Sequence, residues 1–216
     1  MQASKNIQQL EGNHFNKYES TNPLHKKLVN GFFTALKSCL NGIDFSRVYD
    51  AGCGEGKVSA FISQLTPRDE LEIYGSDISA ECVRQAKEEC PQGHFVVEPI
   101  YQLSAPPASF DLVIACEVLE HLNDPDAAMK ELLRITRRYL LISVPNEPIW
   151  RICNMLRGTY WLQLGNTPGH IQHWSKRQFR SFAEKYCKVI KQETPFPWTM
   201  LLCEVEHSEK EVMLDR

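Results

Sequence analysis

Two kinds of hydrophobic periodicity alternate along this chain, and the alternation limits it to one broad architecture. "FDLVIAC" (110–116) and "YLLISV" (139–144) are nearly continuous apolar runs. Runs of this length suit strands buried on both faces, as the interior strands of a parallel sheet are. Further short strands are predicted at 46–51, 71–77 and 94–98, and "KVIKQE" and "MLLCEVE" close the pattern. Between them, apolar residues fall at helical spacing in 23–40, 57–65, 79–90, 124–136 and 175–186. Ser79 is placed to cap the third of these helices, and acids open the fourth while arginines close it, which matches the helix dipole. Strand–helix alternation predicts an α/β fold with a doubly wound, mostly parallel sheet. The pattern breaks between 145 and 174, where prolines and glycines stand among Trp150, Tyr160 and Trp161. That stretch is too long for a simple connection and reads as a cap inserted over the carboxyl edge of the sheet, where open α/β sheets bind ligands.

With 216 residues, 43% of them apolar, one domain can bury a full core. We divide it into an N-terminal lid and helix (1–45), a ligand-binding core (46–146), a cap insertion (147–174) and a closing helix with strands (175–216). No apolar run reaches the roughly 18 residues of a membrane span, and the polar start "MQASKNIQQLEGNHF" lacks a secretory apolar region. Eight cysteines occur without a CxxC pair, so zinc-ribbon and thioredoxin readings fail on spacing and a reducing cytoplasm is expected. The net charge of −3 is uneven, because residues 134–191 hold eleven Lys/Arg against Glu147 and Glu184. Such asymmetry can mark an anionic partner or a merely solvated basic face.

The glycine loop "DAGCGEG" (50–56) follows the first strand. Lys57 is followed by Val58, so no GxxxxGK[ST] phosphate loop exists, and Lys57 stands where a dinucleotide fingerprint needs its third glycine. Asp50 at the mouth would repel a pyrophosphate and attract an ammonium group. Asp77, ending the next strand, is placed to accept hydrogen bonds from both hydroxyls of a ribose. A nucleoside at one end and an amino acid at the other describe S-adenosylmethionine.

"VYDAGCGEGKVS", "IYGSDIS", "FDLVIACEVLEHLNDP" and "YLLISVPN" follow in order over about 46–146. In these motifs the chain resembles the class I S-adenosylmethionine-dependent methyltransferases, especially the ubiquinone and menaquinone biosynthesis branch. The resemblance implies a seven-stranded Rossmann-like sheet. It also implies that Asp50 holds the cofactor's amino group, that Gly52, Cys53 and Gly54 lie against its methionine end, and that Asp77 takes the ribose. Ile78 and Ile100 would flank the adenine, Cys116 and Glu117 would line the methionine side, and Tyr18 in "NKYESTNPL" would close over the ligand. Where the family leads from its third strand to an aspartate near the adenine amine, this chain has Glu98. Asp50 as a helix cap, Tyr18 as packing and Cys116 as a small buried residue are the structural alternatives.

Such a cofactor carries both electrophile and leaving group, so the protein must align the acceptor and, for a hydroxyl, remove its proton. His121, after the fourth strand, and His170 and His173 in "GHIQHWS" are the candidate bases. "EVLEH" also sets Glu117, Glu120 and His121 at i, i+3 and i+4. With His170 or His173 they could hold Mg²⁺ or Mn²⁺, as similar arrangements do in small-RNA 3′-end 2′-O-methyltransferases and some quinone O-methyltransferases; this metal reading is not the favoured one. "PIWRICNMLRGTYWLQLG" (148–165), apolar and aromatic with two arginines, suits an aromatic or lipid-like anionic acceptor, or is an ordinary lid. Trp150, Trp161 and Trp174 are candidate pocket walls. The leading expectation is O-methylation of a small molecule. RNA methylation and a non-catalytic S-adenosylmethionine-binding subunit are the alternatives.

Overall fold

The computed structural model describes residues 23–65, 71–156 and 166–206. Tyr18 and Trp161 therefore lie outside the described residues, as does Asn22. The described chain runs α1 (Pro23–Leu40), β1 (Arg47–Ala51), α2 (Lys57–Leu65), β2 (Glu72–Asp77), α3 (Ala80–Glu89), β3 (His94–Val97), β4 (Phe110–Cys116), α4 (Pro125–Ile135), β5 (Thr136–Pro145), α5 (Ile149–Leu156), α6 (Lys176–Ala183), β6 (Lys188–Glu193) and β7 (Trp198–Glu204). A single 3₁₀ turn (Leu119–His121) stands between β4 and α4.

The seven strands form one sheet in the order β3-β2-β1-β4-β5-β7-β6. All neighbours are parallel except β7, which runs antiparallel to both β5 and β6, so the sheet is mixed. The order reverses between β1 and β4, which opens a crevice at their carboxyl ends. One layer of core packs α4 and α6 against β4 and β5 through Met129, Leu132, Phe179 and Leu201. The opposite layer packs α1 and α2 through Phe32, Leu36, Ile62 and Leu141. The near-continuous apolar runs of β4 and β5 follow from this covering on both faces.

Local signals fix the helix ends. Ser79 caps α3 by accepting from the Cys82 N–H, and Asp124 caps α4 by accepting from the Ala127 N–H. Ser175 and Gln178 form a capping box that starts α6 where the chain leaves the cap.

The amino edge is tied by charge. Asp111 of β4 accepts from the Ser46 N–H, the Ser46 hydroxyl and the Arg47 N–H, and pairs with Arg137 of β5 at 2.8 Å. Arg47 pairs in turn with Glu72 of β2 and lies over the Tyr74 and Phe110 rings. Burial raises the Asp111 carboxyl, but these hydrogen bonds and Arg137 outweigh it and hold the group below its ordinary range.

A group depressed in the folded state stabilises above its unfolded pKa, about 3.9 for Asp, and that stabilisation is lost as pH falls through the folded pKa. Asp111→Ala should cost roughly 1–3 kcal/mol in urea unfolding at pH 7. The gap from the parent should narrow below about pH 4. An equal gap at pH 7 and pH 3 would contradict this account of the clamp.

Candidate functional site

The site begins where β1 ends. Gly52, Gly54 and Gly56 take φ of +74°, +50° and +77°, a region costly for residues with a side chain. Their surroundings differ. A Cβ on Gly52 would lie 2.5 Å from Val118 Cγ2, so the bare backbone lets the loop press against the segment after β4. A Cβ on Gly56 would lie 2.8 Å from Ala86 Cα, so this glycine admits α3. A Cβ on Gly54 would meet nothing within 4 Å, and the loop is open there. The N–H groups of Gly52 and Cys53 both donate to the Ser76 carbonyl, which fixes the loop to β2.

Asp77 bridges this loop to α3. Its Oδ2 accepts from the Gly54 N–H at 3.0 Å and its Oδ1 from the Ser79 N–H at 2.8 Å. A carboxylate has about four acceptor positions, so two remain for a diol, and the group is half-buried beside the open Gly54. Ile78 stands exposed next to it, and Ile100 is partly buried against the main core beyond β3. The acceptor positions left on Asp77 and the open backbone at Gly54 match the donor–acceptor chemistry of a nucleoside's diol.

Asp50 is only 2% exposed and accepts from the Ser59 hydroxyl at 2.7 Å. It braces the loop against α2, close to the capping role open to it in the sequence. Burial pushes its carboxyl up to about 6, against the pull of Ser59 and with help from Asp77. The Cys53 thiol is pushed up by burial and by Asp50 and Asp77, and the Cys116 thiol by burial and Asp50. Neither is poised as a nucleophile. Glu98 is committed elsewhere: one oxygen accepts from the Tyr49 hydroxyl and the other from the Ser104 N–H.

After β4 the "EVLEH" carboxylates separate. Glu117 takes φ +60° and accepts from the Ser143 hydroxyl at 3.0 Å, so it faces β5. The left-handed residue breaks the helical phase, and Glu117 does not share the face of Glu120 and His121. Instead, Glu120, His121 and His170 converge, with one ligand atom from each within 4.8 Å of the others. Glu120 is 2% and His170 6% exposed. The return from the cap is stapled to this turn: the Ile171 and Gln172 N–H groups both donate to the Glu120 carbonyl, and the Gln172 amide donates to the Leu122 carbonyl. Gly169, at φ +90°, turns its carbonyl onto His121 Nδ1 at 3.0 Å. A carbonyl only accepts, so Nδ1 carries the proton and Nε2 presents its lone pair. Nε2 lies 3.9 Å from the Glu120 carboxylate, and two such acceptors are stable together when a proton or a cation stands near both.

His173 is not part of this cluster; it lies 2.9 Å from the Arg151 guanidinium and 2.8 Å from the Asn166 amide oxygen. Of the candidate pocket walls, Trp150 stacks on His170 at 5.8 Å and donates to Thr167. Trp174 packs on Phe179 and Phe182 inside the core instead, because its backbone bridges to Asn146 at the end of β5. The sequence reading missed Gly169 and Asn166, and took Arg151 only as one of the two arginines of the cap. Gly169 carried a usable signal, a Pro-Gly pair directly before the histidine pair.

An open doubly wound sheet with a glycine loop and a paired acid at its switch point defines a nucleoside-binding α/β protein. Residues 49–140 match the methyltransferase domain family, and the chain carries a class I S-adenosylmethionine-dependent methyltransferase domain. It is similar to the trans-aconitate 2-methyltransferase of an Azoarcus species, 32% identical over 56% of this chain and 49% of that one. It is also similar to the malonyl-[acyl-carrier protein] O-methyltransferase of Enterobacter lignolyticus, 31% identical over 52% and 43%. The matches span less than half the length of these curated relatives. Among solved structures it superimposes on magnesium protoporphyrin IX methyltransferase of Synechocystis PCC 6803 with bound SAH, at a TM-score of 0.64 and 20% identity over 87% of this chain and 89% of that one.

Asp50 gives a pH signature. A carboxyl raised to about 6 when folded, against about 3.9 unfolded, holds its proton longer in the folded state, so its ionisation costs stability as pH rises from about 4 to 6. Asp50→Asn should therefore raise the stability of the ligand-free protein at pH 7.5 by roughly 1–3 kcal/mol in thermal unfolding. Below about pH 4 the two proteins should converge. A variant less stable at both pH values would refute this.

Proposed function

We propose that this chain transfers a methyl group from S-adenosylmethionine to an oxygen of a small-molecule acceptor, releasing S-adenosylhomocysteine. The observation that carries the reading is the convergence of Glu120, His121 and His170 next to the glycine loop, whose Gly52 packs against Val118 immediately before their turn. When bound, the cofactor supplies an electrophilic methyl group on its own leaving group.

The chain's residues do the rest. Asp77 would accept both ribose hydroxyls, while Ile78 and Ile100 flank the base. The methionine end would lie along Gly52–Gly54, with Cys116 and Glu117 on its far side and Tyr18 as the closing residue. The buried Asp50 carboxylate would be relieved by the cofactor's ammonium, directly or through water. His121 Nε2 would take the proton from the acceptor hydroxyl, with its tautomer set by the Gly169 carbonyl. His170, held by Trp150, and Glu120 would stabilise the imidazolium that results. One observation favours a second form of the same reading. A carboxylate oxygen and two imidazole nitrogens within 4.8 Å fit a divalent cation such as Mn²⁺ or Mg²⁺. Held there, the ion would lower the hydroxyl's pKa. His173 has no part in either form.

A small acceptor is favoured over RNA because a good part of the basic segment's charge is met by nearby acids. Arg134 pairs with Glu131, Arg137 with Asp111, Arg180 with Glu184, and Lys191 lies by Glu193. An O-methyltransferase among the relatives also supports an oxygen acceptor. A cytoplasmic setting remains part of the proposal; among the described residues no helix is long and apolar enough to cross a membrane.

Calorimetry should detect binding of S-adenosylmethionine and its demethylated product, weakened roughly tenfold or more by Asp77→Asn. Absence of binding to the parent protein would sink the proposal. In a screen of hydroxyl and carboxyl acceptors with labelled cofactor, His121→Ala should lose 10²–10⁴-fold in turnover, on the order of a missing general base, while cofactor affinity holds. Loss of turnover in EDTA and its return with Mn²⁺ or Mg²⁺ would select the cation form, and indifference to EDTA the simple base.

A further inference from the structure

The cap holds a second cluster that the methyl-transfer reading does not use. Arg151 of α5 faces Glu147, at the foot of the cap, and His173 of the returning segment, which in turn meets Asn166. Its hydrogen bonding does not close. Among the described residues, the Arg151 Nε and Glu147 Oε1 atoms are both buried without a hydrogen-bond partner, and they stand 3.9 Å apart, too far to bond each other. Glu147 Oε2 accepts a long 3.4 Å contact from the Arg151 backbone N–H. A buried guanidinium N–H without an acceptor is rare in folded proteins and asks for one.

The histidine side conflicts in a complementary way. His173 Nε2 lies 2.9 Å from Arg151 Nη2 and 2.8 Å from Asn166 Oδ1. A guanidinium can only donate, so that contact requires a lone pair on Nε2. The Asn166 oxygen can only accept, so the other contact requires a proton on the same nitrogen. Turning the amide over does not help, because Asn166 Nδ2 already faces the His170 carbonyl at 3.4 Å. No protonation state of His173 satisfies both neighbours. An oxyanion that drew Arg151 Nη2 off His173 would end the conflict: Nη2–H would donate to the anion, and Nε2–H would stay with the Asn166 oxygen.

We infer that Arg151, beside His173, forms an oxyanion-binding site that anchors a carboxylate or phosphate group of the methyl acceptor. The inference rests on the small-molecule reading above. It deepens that reading by giving the acceptor an acidic group, held three residues along the same turn from His170. Arg151 and His173 come from the two arms of the cap, so the anion would sit where those arms meet. Glu147 supplies the counter-charge that keeps the guanidinium tolerable when the site is empty. It stays far enough away, at 3.9 Å, to leave the donors unfilled. The guanidinium fork is the side chain suited to planar oxyanions.

The test reads binding without turnover, so its failure is separable from failure of the methyltransferase reading. Histidine Cε1–H resonances would be followed at pH 7.5 during titration with sodium phosphate, then with sodium acetate, at constant ionic strength in chloride. The His173 line is assigned with His173→Gln. We expect a saturable displacement of that line, weakened roughly 10- to 100-fold in Arg151→Gln, the loss typical of a hydrogen bond to a charged group. Saturation by phosphate alone identifies a phosphorylated acceptor, and saturation by both anions a general oxyanion seat. A His173 line that never saturates overturns the inference, as does unchanged titration in Arg151→Gln. Should that variant fail to fold, Arg151→Lys keeps the charge but loses the fork. Phosphate binding equal to the parent's in Arg151→Lys would overturn the inference equally.

Discussion

The backbone carbonyl of Glu120 is the joint that ties the cap to the turn after β4. It accepts two N–H groups, from Ile171 and Gln172, that arrive fifty residues later in the chain. These two bonds and the Gly169 carbonyl on His121 fix the end of the cap to the turn after β4. Without them His170 would have no reason to lie by His121, and Trp150 would have nothing to stack upon. A buried acid and two imidazoles are costly to assemble, and main-chain hydrogen bonds at His121, His170, Ile171 and Gln172 hold them together. The cluster is thus specified by main-chain geometry first and by side-chain chemistry second.

The architecture was legible because its signals are local. Unbroken apolar runs in β4 and β5, alternation with helical spacing, and caps at Ser79 and Ser175 each reflect forces acting within a few residues. The mixed character of the sheet was less visible, since direction is set by connection lengths between β5, β6 and β7 and not by their composition. At the site, the open backbone at Gly54 and the acid at Asp77 follow from the glycine spacing and the strand end. The grouping of Glu117 with Glu120 and His121 assumed a continuous helical turn. One left-handed residue cancels that phase, and φ at a glutamate has no sequence signature. The choice between His170 and His173 was equally unreadable, because it hangs on which carbonyl Gly169 turns toward His121.

Charge in this chain is better understood by pairing than by counting. The segment 134–191 carries a large formal excess of positive charge. Part of it meets acids from other elements: Arg137 meets Asp111 of β4, and Arg138 lies 3.9 Å from Glu204 of β7. Sequence asymmetry of this kind records where partners sit along the chain and does not by itself draw a field at the surface. Asp50 and the Arg151–Glu147 pair, which stay energetically uncomfortable, lie at the carboxyl edge and its cap.

The charged belt at the opposite edge has a consequence of its own. Glu72, Arg47, Asp111 and Arg137 tie β2, β1, β4 and β5 at the ends where those strands begin. Register is therefore set at one rim, while every loop that meets a ligand hangs from the other. Insertions, deletions or replacements at the working rim leave these ties untouched. A descendant of this chain could exchange its whole cap, and with it the molecule it acts upon, while inheriting the same sheet. Such a division of labour makes the scaffold evolvable: what keeps it folded and what it recognises can change at independent rates.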